Sequence, residues 1–275
     1  MTEVDRHVLA AVDGTPDSGA AVRWAAARAE RAGLPLRLAH AWGHPEHAVP
    51  GLPGISEVRG RALAALAEAA ALVVREHPSV EVRTELLEVP APRGLLTAAE
   101  DAELVVVGSH RPGGLLGLLF GSVGLAVAAG ADRPVVLVPA AAGGPAVGGR
   151  VVVGVNPEGS PGPVLAFAAR EAEHWAASVH AVYAWTPPRG WEALEDCARA
   201  GTARRELARL HDVVRRSAGG PVAEEARPGR AAEVLLSGGA DVRLLVLGRS
   251  RGRLGPVARE VYEHAHTPVA VVPHG

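Results

Sequence analysis

The sequence predicts an α/β protein built as two tandem domains, each a parallel sheet flanked by helices. Three observations lead there. The chain is written twice, with the same segments in the same order in each half. Within each half, short apolar runs alternate with longer stretches of helical spacing, and strands separated by helices pair in parallel because parallel neighbours need a long crossover. One run, Leu104–Val107, is apolar without alternation, as a strand covered on both faces must be.

The repeat is specific. "HVLAAVDGTPDSGAAVRWAAARAE" (7–30) lies over "RVVVGVNPEGSPGPVLAFAAREAE" (150–173) without a gap, at an offset of 143. Val12-Asp13 falls on Val155-Asn156, and Glu30 on Glu173. The same offset carries "LRLAHAW" (36–42) onto "VHAVYAW" (179–185). "DAELVVVG" (101–108) then matches "DVRLLVLG" (241–248), and "RPVVLVP" (133–139) matches "TPVAVVP" (267–273). Ordered blocks of this kind mark a duplicated unit. We place the first domain at 1–140, a linker at 141–149 and the second domain at 150–275; the linker region is Gly, Ala and Pro without periodicity.

The elements of the first copy follow in order. Residues 7–12 are a short apolar run stopped by Asp-Gly-Thr-Pro, a strand and then a turn. Residues 16–32 carry Ala20, Ala21, Trp24, Ala27 and Ala32 at helical spacing, opened by Pro16 and closed by Gly33. Residues 36–42 are a second strand, followed by a Gly/Pro-rich loop and a helix over 57–76 that stops before Pro78. "VEVRTELLE" (80–88) alternates as a half-exposed strand does. A helix near 92–102, the buried strand at 104–107, a glycine-rich segment, a helix over 122–130 and a strand at 135–138 complete the unit.

Composition excludes several chemistries. The chain has 275 residues and a net charge of −2, which argues against a broad electrostatic grip on nucleic acid. It contains no lysine, so neither a lysine-bearing phosphate loop nor Schiff-base chemistry is available. Cys197 is the only cysteine, which rules out an internal disulfide and a cysteine zinc site and fits a reducing, cytoplasmic setting. The amino-terminal stretch lacks the pattern of a signal peptide, and no apolar run approaches a membrane span. We therefore expect a cytoplasmic protein with neither nucleic acid nor membrane as partner.

The segment "GSHRPGGLLGLLFGS" (108–122) joins the buried strand to a helix. In open parallel sheets, ligands bind beyond the carboxyl ends of the strands. Asp13 and Gly108 each follow a strand end and border one crevice if those strands are neighbours. The helix start at Gly121-Ser122 offers free N–H groups and the positive end of a dipole. Glycine lets the backbone approach an anion closely, and His110 and Arg111 add charge. Hydrogen bonds to a charged partner contribute roughly 1.5–3 kcal/mol each, so three or four, net of ordering costs, suit binding near −8 kcal/mol, about micromolar. Spacing alone leaves two other readings open: a glycine loop that merely turns the chain, and a leucine-bearing loop that packs on a partner.

The combination resembles the universal stress protein family: "VDGTPDS" after the first strand, "AHAW" at the end of the second, "LVVVGSHRPGGLLGLLFGSV", and "RPVVLVP" closing the unit. It covers both halves, as in the tandem members. The resemblance implies a five-stranded parallel sheet of order 3-2-1-4-5 in each domain, a HUP/adenine nucleotide alpha hydrolase-like fold. ATP-binding members carry G-x-x-G-x9-G-(S/T) after the fourth strand; here Gly108, Gly121 and Ser122 keep the spacing, and Arg111 replaces the middle glycine. By that resemblance Ala11, Val12, Asp13 and Gly14 border the adenosine, with Asp13 toward a magnesium or manganese ion beside the phosphates. Ala41 meets adenine through its backbone. Gly108, Ser109, His110, Arg111, Gly113 and Gly114 line ribose and phosphates, and Gly121, Ser122 and Val123 hold the phosphate end. The implied ligand is ATP, with ADP and AMP as alternatives, in a protein of stress response and signalling. Binding is expected rather than turnover, since no general base stands out; slow ATP hydrolysis stays open. A nucleotide-independent interaction scaffold is the alternative function, and a hydrolase or transferase the third. The family also implies an internal pseudo-dimer of the two halves through 134–138 and 268–272, and homodimers of such chains.

The second copy departs from this pattern. Gly108 to Pro134 spans 26 positions, but Gly248 to Pro268 spans 20. Pro256 stands where Gly-Ser opens the helix, and proline donates no N–H. Asn156 replaces Asp13. The second half is expected to keep the fold with its matching crevice closed and without ATP binding, although Arg249, Arg251 and Arg253 leave a basic loop. His40, His44 and His47 read as solvated loop histidines in preference to metal ligands, His264 and His266 as structural, Trp42 and Trp185 as packing, and Cys197 as an inert helical residue.

Overall fold

A computed structural model describes residues 6–43, 54–109, 122–142, 147–191, 195–250 and 252–274, without the side chain of Ser122. The chain divides into two compact units, Met1–Pro145 and Ala146–Gly275.

In the first unit, β1 (Val8–Ala11), β2 (Leu36–Ala41), β3 (Val82–Leu87), β4 (Leu104–Ser109) and β5 (Val135–Pro139) alternate with α1 (Pro16–Ala32), α2 (Ile55–Glu76), α3 (Ala91–Ala98) and α4 (Ser122–Gly130). All pairings are parallel and give the order β3-β2-β1-β4-β5. The register sets Val8 beside both Leu36 and Leu104. Val8, Leu9, Ala10, Val105 and Val106 are wholly buried, which is why β1 and the first four residues of β4 are apolar on both faces.

The second unit repeats the plan. Its strands are β6 (Arg150–Gly154), β7 (Ser178–Trp185), β8 (Ala223–Pro228), β9 (Val242–Arg249) and β10 (Val269–Pro273). Its helices are α5 (Gly162–Trp175), α6 (Asp196–Ser217), α7 (Ala231–Leu236) and α8 (Pro256–His264). The pairings are again parallel, in the order β8-β7-β6-β9-β10. The five-stranded 3-2-1-4-5 sheet therefore holds in each unit.

The ends of α1 show how local sequence fixes the frame. Thr15 caps it by accepting from the Ser18 N–H at 3.2 Å, Pro16 occupies the first turn, and Gly33 ends it in the left-handed region at φ 63°. Asp17 in the first turn accepts the Ala140 N–H at 3.0 Å, which ties α1 to the chain leaving β5. Arg28, on the buried face of α1 and 2% exposed, meets Glu103 at 3.4 Å. Helix α3 is shorter than the spacing near 92–102 predicts, because the chain turns at Ala99 and runs by Ala102 into β4. His264, the last residue of α8, bonds the Glu260 carbonyl at 2.9 Å, a structural role. Cys197 is exposed on α6. Among the described residues no helix is long and apolar enough to cross a membrane.

Candidate functional site

In each unit the strand order reverses between two parallel neighbours, β1 with β4 and β6 with β9. Crossovers leave to opposite sides of the sheet at such a point and open a crevice at the carboxyl ends of the strands. In the first unit that edge carries Asp13 after β1, Ala41 ending β2, and Gly108 and Ser109 ending β4, with α4 beginning at Ser122. Adjacency of β1 and β4 brings Asp13 and Gly108 to one edge, as the crevice requires. His110, Arg111, Gly113, Gly114 and Gly121 lie outside the described residues, as do His44 and His47.

The turn after β1 is held by Asp13. Its Oδ1 accepts the Thr15 N–H at 2.9 Å and the Thr15 hydroxyl at 2.6 Å. Gly14 takes φ 80°, which glycine adopts without strain. Val12 is buried and Ala11 half-buried, while Asp13 is exposed. Asp13 thus stands at the lip, with one carboxylate oxygen engaged in the turn. Among the described residues no group of three or more His, Cys, Asp or Glu side chains is placed to hold a metal ion. A magnesium ion at one carboxylate would take its remaining ligands from phosphate and water, which is its usual habit.

Gly108 has a packing role of its own. A Cβ there would lie 2.6 Å from the Asp17 carbonyl carbon and 2.8 Å from the Ser18 nitrogen. The first turn of α1 therefore rests on β4 backbone. At Gly94 of α3 the neighbours are side chains instead: a Cβ there would lie 2.8 Å from Val89 Cγ2 and in ordinary contact, 3.4 Å, with the Ala41 Cβ of β2.

His40 corrects the sequence reading. It lies in β2, where the strand reading of 36–42 already put it, but it is not solvated: its Nδ1 is buried without a hydrogen-bond partner among the described residues. Burial holds its pKa below the usual histidine value, partly offset by the Asp13 carboxylate. The strand pattern "LRLAHAW" placed His40 at a strand end, but nothing in it signalled the burial.

The second unit also corrects an expectation: its crevice is open. A cavity of about 490 Å³ lies at the ends of β6, β7 and β9, lined by Val155, Asn156, Tyr183, Trp185, Gly248 and Pro256 among others. The shorter connection after β9 removes chain that would have to fold over the strand ends, so shortening does not close the space. The turn after β6 keeps the form of its twin: the Glu158 N–H bonds Asn156 Oδ1 at 3.1 Å. Gly248 meets a different neighbour from Gly108, since a Cβ there would lie 2.7 Å from the His274 ring. Arg209 is held by Glu158 at 3.1 Å and Glu206 at 3.0 Å, and burial with the Glu206 carboxylate raises the Tyr183 pKa.

Fold and strand order define a doubly wound parallel α/β protein with two repeated units and one switch point in each. The universal stress protein family model matches residues 6–139 and again 149–273, so the chain belongs to the universal stress protein family, in tandem form. A universal stress protein of Mycolicibacterium smegmatis is 31% identical over 292 residues, covering 96% of each chain. One from Mycobacterium tuberculosis is 42% identical over 133 residues, and the match spans only 47% of this chain and 44% of that relative's length. A crystal structure of a universal stress protein from Archaeoglobus fulgidus superposes with a TM-score of 0.68 over 99% of this chain and 100% of that one, at 15% identity, a likeness of fold.

Proposed function

We propose that the first unit binds an adenine nucleotide, ATP in the first place, and that the protein works in a stress response through that binding. The observation that carries this reading is the parallel pairing of β1 with β4, which sets Asp13 and Gly108 at one switch point. The spacing Gly108, Gly121, Ser122 supports it, because it leads from that edge to the start of α4, where free N–H groups suit phosphate. In this reading Ala11, Val12, Gly14 and Ala41 border the base and ribose. Ser109 and Val123 flank the phosphate path, with His110, Arg111, Gly113 and Gly114 between them. Asp13 meets a magnesium or manganese ion carried by the phosphates. Binding, rather than turnover, is the activity.

The protein purified without added nucleotide is denatured, and the supernatant is examined by mass spectrometry for ATP, ADP and AMP. Calorimetric titration with Mg-ATP follows. Released nucleotide, or micromolar binding weakened about tenfold in Asp13→Ala, supports the reading. A clean protein that also fails titration overturns it in favour of an interaction scaffold. Gly108 gives that scaffold reading its one structural support, since packing against α1 requires glycine there with or without a ligand.

Association of the two halves into an internal pseudo-dimer, and of whole chains into homodimers, belongs to the same proposal. Sedimentation of the full chain tests the homodimer.

A further inference from the structure

We infer that Arg28 with Glu103, and Glu171 with Arg243, are one charge lock written in opposite senses, which lets each unit accept only its own first helix and keeps the repeats from exchanging β1–α1 for β6–α5 as the chain folds.

The need for a lock comes from the likeness of the repeats. Helix α1 packs on β1, β4 and β5, and α5 packs on the equivalent strands β6, β9 and β10. The buried faces of the two helices match as well. Val22, Ala25 and Ala29 of α1 stand where α5 has Leu165, Ala168 and Ala172, and all six are buried. Apolar burial is non-directional, so it distinguishes such helices poorly. Exchange of equivalent parts is a characteristic failure of repeated domains.

One buried position breaks the likeness. Arg28, 2% exposed, meets Glu103 at 3.4 Å, just before β4. At the offset of 143 its counterpart is Glu171, which is 1% exposed. The counterpart of Glu103, in "DVRLLVLG" over "DAELVVVG", is Arg243 of β9. Arg243 is half-buried, and its Nε donates to the Gly148 carbonyl at 3.3 Å. The Gly148 N–H in turn bonds the Trp175 carbonyl at 2.7 Å, at the end of α5. Glu171, one turn earlier, accepts from the Trp175 indole at 3.3 Å. The strand cation and the helix carboxylate of the second unit thus both stand by the last turns of α5.

Exchange would bring like charges together in both places. Helix α1 on the second sheet sets Arg28 toward Arg243, and α5 on the first sets Glu171 toward Glu103. A buried charge deprived of its opposite partner is strongly destabilising, even where the intact pair adds little. The lock therefore acts by penalising the wrong helix. Neighbouring aspartates do not discriminate in this way. Asp101 lies 3.9 Å from His7 and Asp241 2.6 Å from Arg150, so either basic residue could serve either aspartate.

Full-length double variants reverse one lock at a time: Glu171→Arg with Arg243→Glu, and separately Arg28→Glu with Glu103→Arg. Each gives both units the same sense. The quadruple variant reverses both locks and restores the distinction. Every protein is unfolded in urea and diluted over a range of protein concentrations. The fraction that elutes from a sizing column as untreated wild type does is then measured. Each double variant is expected to lose that yield by about threefold or more, with larger species that grow with concentration. The quadruple is expected to recover to within about twofold of wild type, a non-additivity between separate units. It decides even where a double variant fails to fold, because effects confined to each unit would add and leave the quadruple worst of all. A double variant that refolds as well as wild type, or a quadruple no better than the better double, would overturn the inference.

Discussion

The backbone of Asp17 lies so near Gly108 that a methyl group on the glycine would sit 2.6 Å from the Asp17 carbonyl carbon. Helix α1 and strand β4 touch main chain to main chain there, and neither can yield without shifting the core. Gly108→Ala is therefore expected to lower stability by about 1–3 kcal/mol, the usual cost of overpacking. Urea denaturation without nucleotide checks it; an unchanged midpoint would show that α1 can move aside.

A pair of helix ends gives a reciprocal test. Gly33 closes α1 at φ 63°, and its counterpart Ala176 closes α5 at φ 49°. A side chain in this left-handed region costs roughly 1–2 kcal/mol. Gly33→Ala should destabilise by about that amount, and Ala176→Gly should stabilise by about 1 kcal/mol, less the entropy that glycine gains when unfolded. Thermal melts of both variants should move in opposite directions.

Glu103 holds the buried Arg28 at 3.4 Å and also pairs with Arg6. Removing one member of a buried pair costs about 3–5 kcal/mol, because the remaining charge stays out of water. With Glu103 itself partly exposed, Glu103→Ala should fall near the low end, about 3 kcal/mol. Arg28→Met, which removes the charge and keeps the stem, should cost less. Equal losses in chemical denaturation would refute this account.

His40 and His180 both have pKa values held below the ordinary histidine value, in each case chiefly by burial. The folded state then binds fewer protons than the unfolded state below about pH 6.5. Their contribution is complete above that unfolded value and is lost as pH falls toward the folded ones. The urea midpoint should drop between pH 7.5 and pH 5, and drop less in His40→Asn.

Much of the fold was legible because its signals are local or repeated. Pro16 and Gly33 mark α1 by backbone chemistry alone, and the offset of 143 fixed the second unit's β6 and β7 from the first unit's β1 and β2. Asp13 and Gly108 were legible as strand ends; that they share an edge required the order of strands. What escaped depends on three-dimensional neighbours. The burial of the His40 Nδ1 is a matter of what packs around the end of β2, and the contact of Gly108 with Asp17 joins residues far apart in sequence. The open second crevice escaped because a shortened loop says how much chain there is, not where it lies.

The two turns after β1 and β6 are built alike, one on the carboxylate of Asp13 and one on the amide of Asn156. Either side chain supplies the single oxygen that the bend needs. Electric charge at this spot is thus uncoupled from architecture: one nucleotide change in an aspartate codon would turn a negatively charged rim into a neutral one and leave the turn's oxygen acceptor in place. Once duplicated, such a fold could diverge in what it holds long before it diverged in shape.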